Sequence, residues 1–429
     1  MLQPAPTLGD TRWFTQDRFG MFIHWGLYAL PARHEWVKSQ ERITDEGYQV
    51  YFDHFNPDLY DPEAWATAAK NAGMKYVVLT TKHHDGFCLW DTKQSEYKVT
   101  HTPYGKDLVT PYVKAFRNAG LKVGFYYSLI DWNHPDFPID TFHPYRDHSL
   151  EDIARMNQGR DMRRYAAYMR EQVRELLVAH KPEIIWFDFS YPTRDYKGLP
   201  GKGHLDWESE ALHTLVRELC PGIIINNRLD LPGSADIHTP EQFQPREWIH
   251  VEGKPVVWEA CQTFSGSWGY HRDESTWKSP EQLIKMLVTT VSCGGNLLMN
   301  VGPTARGIFD QRAEEALSIY GSWLRLNGRS IYGCTQSEFT APQGCRFTQN
   351  GNRLYLHIFD WPFRHLHLDG FVGKIAYAQF LHDASEVKRL EPGKHDEWSI
   401  SETTHDTLTL EIPIIKPDVV VPVIELFLK

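Results

Sequence analysis

From residue 19 to about residue 327, short apolar runs alternate with amphipathic stretches of helical period. This alternation limits the fold more than any other feature of the chain. The candidate strands are residues 20–24, 76–80, 121–127, 183–188, 222–226, 235–238, 255–259 and 296–301. Between them, residues 62–72, 108–119, 161–180, 208–219, 280–291 and 311–326 carry helical periodicity. Repeated strand-then-helix order, punctuated by turns such as Asn118-Ala119-Gly120, predicts parallel strands joined by crossover helices. Eight candidate strands in this span predict an α/β fold of the (β/α)8 barrel type. A doubly wound open sheet is the alternative, but no GxGxxG phosphate loop opens its first helix.

The pattern changes after Gly328. Helical periodicity gives way to short alternating runs at 345–348, 352–358, 374–380, 407–412 and 419–428, with the hairpin signal Asn350-Gly351 between two of them. The expected organisation is a catalytic domain over residues 1–331 followed by an antiparallel β-sandwich domain over residues 332–429. No long linker separates them, which predicts close packing.

The 429-residue chain is 41% apolar and 23% charged, ordinary values for a globular protein. Its net charge of -10 and the lack of any basic run argue against a nucleic-acid or anionic-membrane partner. The longest apolar run is interrupted by Pro422 and Glu425 and is too short to span a bilayer. Six scattered cysteines without CxxC spacing predict free thiols in a reducing compartment. Residues 1–12 are polar and contain no apolar signal segment, so the expected location is cytoplasmic. With 15 Trp, 20 Tyr and 22 Phe the chain is rich in aromatic faces, which pack well on the apolar C–H patches of sugars.

Chemistry gathers where the strands end. The first strand runs into His24, with Glu35-Trp36 in the loop beyond, and the second into Lys82-His83-His84-Asp85. Strand alternation puts Tyr126 on one face with Ser128 and leaves Tyr127 on the other; it likewise pairs Trp186 with Asp188. Arg228, the Asp236–Glu241 segment, Trp258-Glu259 and Ser267-Trp268-Gly269-Tyr270 follow. Taken singly, each has a plainer reading: Asp188 as a helix N-cap, Arg228 as a partner of Asp230, Trp25 and Trp258 as core, Glu259 as a buried carboxylate. Their concentration at one end of successive strands, while the opposite turns hold mostly Gly, Asn, Lys and Pro, predicts a catalytic cleft. A carboxylate fixed on a strand and another on a loop, among histidines and aromatics, suits glycoside hydrolysis. No GxSxG elbow, HExxH helix or P-loop supports a competing chemistry.

Several motifs resemble those of the α-L-fucosidases of glycoside hydrolase family 29. They are Phe19-Gly20-Met21-Phe22-Ile23-His24-Trp25-Gly26, Lys82-His83-His84-Asp85-Gly86-Phe87, Trp186-Phe187-Asp188, Ser267-Trp268-Gly269-Tyr270 and the run from Gly294 to Pro303. The resemblance implies a barrel-like catalytic domain with a following β-sandwich, and a retaining exo-glycosidase that needs no cofactor or metal. It implies Asp188 as nucleophile. It places sugar-binding roles on His24, Glu35, Trp36, His83, His84, Tyr126, Trp186, Arg228 and Trp268. Glu241 best matches the general acid/base, whose loop varies within the family; Glu247, Glu252 and Glu259 are the other carboxyls nearby. The implied partner is a fucosylated oligosaccharide or glycoconjugate, and a second copy of the chain is a candidate partner. Two departures stand out. Phe189 follows the nucleophile position where glycine is frequent, which predicts a narrowed pocket mouth, and Cys293 stands where lysine is common.

Two other readings compete. One is a metal-dependent barrel hydrolase using His24, His83, His84 and Asp85 as ligands, although adjacent histidines on a strand point to opposite sides unless the backbone turns there. The other is a non-catalytic sugar-binding module in which the barrel is scaffold.

Overall fold

The computed structural model describes residues 3–392 and 404–429. Seven parallel strands form one curled sheet: β1 (Phe19–Ile23), β2 (Tyr76–Lys82), β3 (Lys122–Ser128), β4 (Ile184–Asp188), β5 (Ile224–Ile225), β6 (Glu259–Thr263) and β7 (Asn296–Val301). Their order is β6-β7-β1-β2-β3-β4-β5. Single parallel bridges, Asn226 with Ile237, His238 with Trp258 and Glu241 with Cys261, span the interval between β5 and β6. The chain therefore curls into a barrel-like wall whose ladder is thin on one side.

That thin side corrects two expected strands. Residues 235–238 make bridges but no ladder. The Asp236 carboxylate accepts the backbone N–H groups of Gly9 and Ile225 and a bond from Arg217, replacing strand pairing with side-chain contacts. Residues 255–259 enter the sheet late, because Lys254–Pro255 pairs instead with His250–Val251 around Gly253. The ladder starts at Glu259, which pairs with Asn296.

The crossover helices α1 (Pro62–Asn71), α2 (Val109–Asn118), α3 (Met162–His180), α4 (Ser209–Leu219), α5 (Pro280–Ser292) and α6 (Gln311–Asn327) fall where the periodicity predicts. Local signals fix their starts. The Asp61, Asp161 and Asp310 side chains cap α1, α3 and α6, and Ser279 with Gln282 forms a capping box on α5. The main core lies between strands and helices and includes Trp25, Trp65, Phe116, Leu176 and Trp323. A second cluster fills the barrel interior with alternate strand residues, among them Phe22, Tyr76, Val78, Ile184, Trp186, Cys261 and Leu298. Gly20 makes this packing possible, since a Cβ there would stand 2.4 Å from the Tyr76 ring.

After α6 come two antiparallel sheets. One has the order β8 (Thr335–Gln336), β9 (Cys345–Asn350), β10 (Arg353–Ile358), β15 (Val423–Leu428), β12 (Ile375–Phe380). The other has the order β11 (His365–Leu368), β14 (Leu408–Glu411), β13 (Lys388–Leu390). They enclose an apolar core built from Phe347, Leu356, Leu368, Leu410 and Leu426. The two regions pack closely: the Trp323 indole on α6 donates to the Val421 carbonyl at 3.1 Å, and Arg18 donates to the Cys334 carbonyl at 2.7 Å. The six cysteines are all free. Among the described residues, no helix is long and apolar enough to cross a membrane.

Candidate active site

The strand ends meet in one pocket lined by Phe22, His24, Glu35, Trp36, His83, His84, Tyr126, Trp186, Asp188, Phe189, Glu241, Cys261 and Trp268. Arg228 stands beside it, in the short turn that follows β5. The residues to which the family resemblance gives catalytic or sugar-binding roles line this pocket, except Arg228, which is bonded to its carboxylates.

Asp188 closes β4 and is buried. Its Oδ2 accepts the Tyr126 hydroxyl at 2.7 Å, and its Oδ1 accepts Arg228 Nη1 at 3.1 Å. Burial pushes the Asp188 carboxyl up to about 6; Arg228 opposes that shift and the nearby Glu241 adds to it. Arg228 Nη2 bonds Glu241 Oε2 at 3.1 Å, so one guanidinium ties both carboxylates together. The guanidinium rests over the Trp186 ring at 5.0 Å, and Thr239 accepts two further bonds from it. Arg228 thus pairs with the site carboxylates, while Asp230 faces His204. Glu241 keeps 41% of its side chain exposed at the pocket mouth. Glu247 and Glu252 are exposed outside the pocket.

The histidines lie deeper. The β2–β3 register slips between Thr80 and Lys82, and the chain then turns, so adjacent His83 and His84 both line the pocket. His84 Nδ1 pairs with Ser128 Oγ at 2.7 Å, and its Nε2 lies 3.9 Å from Asp188 Oδ2. His24 Nδ1 pairs with Asn300 Oδ1 at 2.6 Å. Burial pushes His24 down to about 3 and holds His83 and His84 well below the usual histidine range, so all three are neutral at neutral pH. A neutral imidazole offers one donor and one acceptor, which matches a sugar hydroxyl. His83 Nδ1 is buried and has no protein partner.

The loops complete the wall. Glu35 is buried and accepts the Trp268 and Gly269 backbone N–H groups at 3.2 and 2.9 Å, joining the loop after β1 to the loop after β6. Asn300 donates to the Trp268 carbonyl at 2.6 Å. Trp36 packs against His84 at 4.9 Å and Phe189 at 5.1 Å.

The metal reading is corrected here. Asp85 turns away from the histidines, and its carboxylate takes the Tyr48 hydroxyl at 3.0 Å and the Phe87 N–H at 3.2 Å. Among the described residues, no group of three or more His, Cys, Asp or Glu is placed to hold a metal ion. Tyr127 faces outward, its hydroxyl donating to Gln172 at 2.7 Å. Sequence reasoning gave no role to Phe22, Ser128, Cys261 or Asn300. The signal for them was alternation: Phe22 with His24, Tyr126 with Ser128, Glu259 with Cys261 and Leu298 with Asn300 share inward faces.

The chain is similar to known proteins over nearly its whole length. Residues 8–329 match the family model described as alpha-L-fucosidase. Human plasma alpha-L-fucosidase is 30% identical over 421 residues, covering 90% of this chain and 82% of that protein. Alpha-L-fucosidase isoenzyme 1 from Paenibacillus thiaminolyticus superposes with a TM-score of 0.89 at 45% identity, over 98% of each chain. A family 29 alpha-L-fucosidase from Bacteroides thetaiotaomicron, solved as a trapped covalent intermediate with 2-fluoro-fucosyl fluoride, gives a TM-score of 0.83 at 28% identity, covering 100% of this chain and 98% of that one.

Proposed function

Because the chain belongs to the α-L-fucosidase family of glycoside hydrolases, we propose that it removes terminal α-L-fucosyl groups from glycans with net retention, Asp188 acting as nucleophile and Glu241 as general acid/base. The observation that carries this reading is the Arg228 bridge. One guanidinium contacts a buried carboxylate on a strand end and an exposed carboxylate at the mouth, each within 3.1 Å. Such a pair suits double displacement. The rigid carboxylate attacks the anomeric carbon while the outer one protonates the departing oxygen, then deprotonates water in the second step. Tyr126 and Arg228 hold the two Asp188 oxygens and orient the attack. His24, His83, His84 and Glu35 are disposed to read ring hydroxyls, and Phe22, Trp186 and Trp268 offer apolar faces to the C5 methyl group. One methyl contributes only on the order of 1 kcal/mol, so hydroxyl geometry carries most of the selectivity. The covalent intermediate trapped in the Bacteroides relative supports the same mechanism for this chain.

Proton NMR of the first-formed fucose tests the mechanism, with the α anomer expected before mutarotation. Asp188→Gly should fold, lose at least about a thousand-fold in kcat, and recover partly with azide on an activated fucoside. An initial β anomer, or near wild-type turnover by Asp188→Gly, would overturn the assignment.

A further inference from the structure

Phe189 adopts φ +75°, the left-handed region that glycine enters freely and a bulky side chain does not. The chain nevertheless keeps an aromatic ring there, directly after Asp188 and on the pocket wall. The ring packs against His84 at 4.8 Å, Phe142 at 4.9 Å, Trp36 at 5.1 Å and Tyr191 at 5.6 Å. A strained backbone persists only where its surroundings fix it. Here the surroundings are stiff: Asp140, buried, takes the Tyr191 hydroxyl and the buried Lys202 ammonium, each at 2.5 Å, and so clamps the loop after β4 to the loop after β3.

Depth divides the pocket into two zones. His24, Glu35, His83, His84, Tyr126, Trp186 and Asp188 are buried and form the floor. Trp36, Phe189 and Trp268 are half-buried, and with the exposed Glu241 they form the rim. A group departing from a sugar seated on the floor must pass the rim, because Glu241, which would protonate it, stands there.

Resting on the fucosidase reading above, we propose that Phe189 is a specificity-determining residue that, with Trp36 on the same pocket rim, forms an aromatic platform for the leaving group. It would favour aglycones that present a flat apolar face, either an arene or the C–H face of a pyranose. Aromatic faces stack on both, and a platform already fixed in place loses little freedom on binding.

The test compares two substrates that share the fucosyl group and differ in the aglycone: 4-nitrophenyl α-L-fucoside, and α-L-fucosyl fluoride, which has nothing to stack. In Phe189→Gly, the ratio of kcat/KM for the aryl fucoside to that for the fluoride should fall about ten-fold, mainly through KM of the aryl fucoside. Phe189→Leu, which keeps bulk against His84 and Trp36 but removes the aromatic face, should lower the ratio to a lesser extent. Equal losses on both substrates would mean that Phe189 acts only by positioning His84 and Trp36, and would overturn the proposal. So would an unchanged ratio. Failure of the wild-type enzyme to turn over even the fluoride would instead sink the fucosidase reading on which the proposal rests.

Discussion

Glu241 and Glu259 sit close together along the chain, yet their surroundings are opposite. Glu241 leaves 41% of its side chain in solvent beside Arg228, whereas Glu259 is wholly buried inside the barrel with the Tyr76 hydroxyl against it. In the proposed mechanism the first, at the pocket mouth, is the one that meets a departing oxygen. An acid matters most when the leaving group is poor, so Glu241→Ala should cost roughly a hundred- to ten-thousand-fold on a fucosylated oligosaccharide and far less on an aryl fucoside with an acidic phenol. Steady-state kinetics on the two substrates checks this. Equal loss on both, or the same selective loss in Glu247→Ala, would move the acid/base elsewhere. At this scale the inward residues could be read from sequence because strands alternate: Tyr126 and not Tyr127 faces Asp188. Supporting residues were harder to see. Asn300 and Ser128 hold His24 and His84, and nothing in a single residue's identity announces such a partner.

Among elements, those with strong periodicity and clear caps appear where the sequence puts them, and those whose backbone bonds are diverted do not. Helix α5 has Ser279, Pro280 and Gln282 at its start and a long apolar face, so its limits follow from local chemistry. The run at 235–238 reads as a strand, but the Asp236 carboxylate gathers the donors that a ladder would have used. In the sandwich, β13 was missed because its three residues at a sheet edge carry almost no alternation. Strand β6 adds a testable property. Burial pushes its Glu259 up to about 7, against the bond from the Tyr76 hydroxyl that pulls it down. An unfolded glutamate ionises near 4.3, so between about pH 4.5 and 7 the unfolded chain gives up this proton while the native chain keeps it. Stability from this group is therefore complete at low pH and falls as pH rises through that window. Glu259→Gln removes the dependence. Between pH 4.5 and 8, urea unfolding should shift the gap between the two proteins by about 3 kcal/mol in favour of the variant. Parallel stability curves would mean that the carboxyl is not held neutral.

For the whole molecule, buried histidines give the opposite slope. His24, His83 and His84 are held neutral on the barrel side, and His357 in the sandwich is pushed down to about 3 by burial. His357 lies where the two regions meet. Its Nε2 pairs with Thr348 at 2.9 Å, its Nδ1 has no protein partner, and its ring stacks on Trp323 of α6 at 6.2 Å. A histidine lowered in the native state is protonated in the unfolded chain below about pH 6.5 while the native chain stays neutral. Its contribution to stability is thus complete above 6.5 and lost as pH falls toward 3. Several such groups act together and oppose the buried carboxyls, so the fold should weaken in mild acid, before most surface carboxylates titrate. His357 isolates the effect, since it lies outside the pocket and its replacement leaves the catalytic groups in place. His357→Gln should reduce the loss of stability between pH 7 and 5 by about 2 kcal/mol, with kcat/KM at pH 7 unchanged. The check is urea unfolding of both proteins at the two pH values, followed by fluorescence. If the variant weakens in acid as steeply as the wild type, protonation at this junction is not what loosens the molecule.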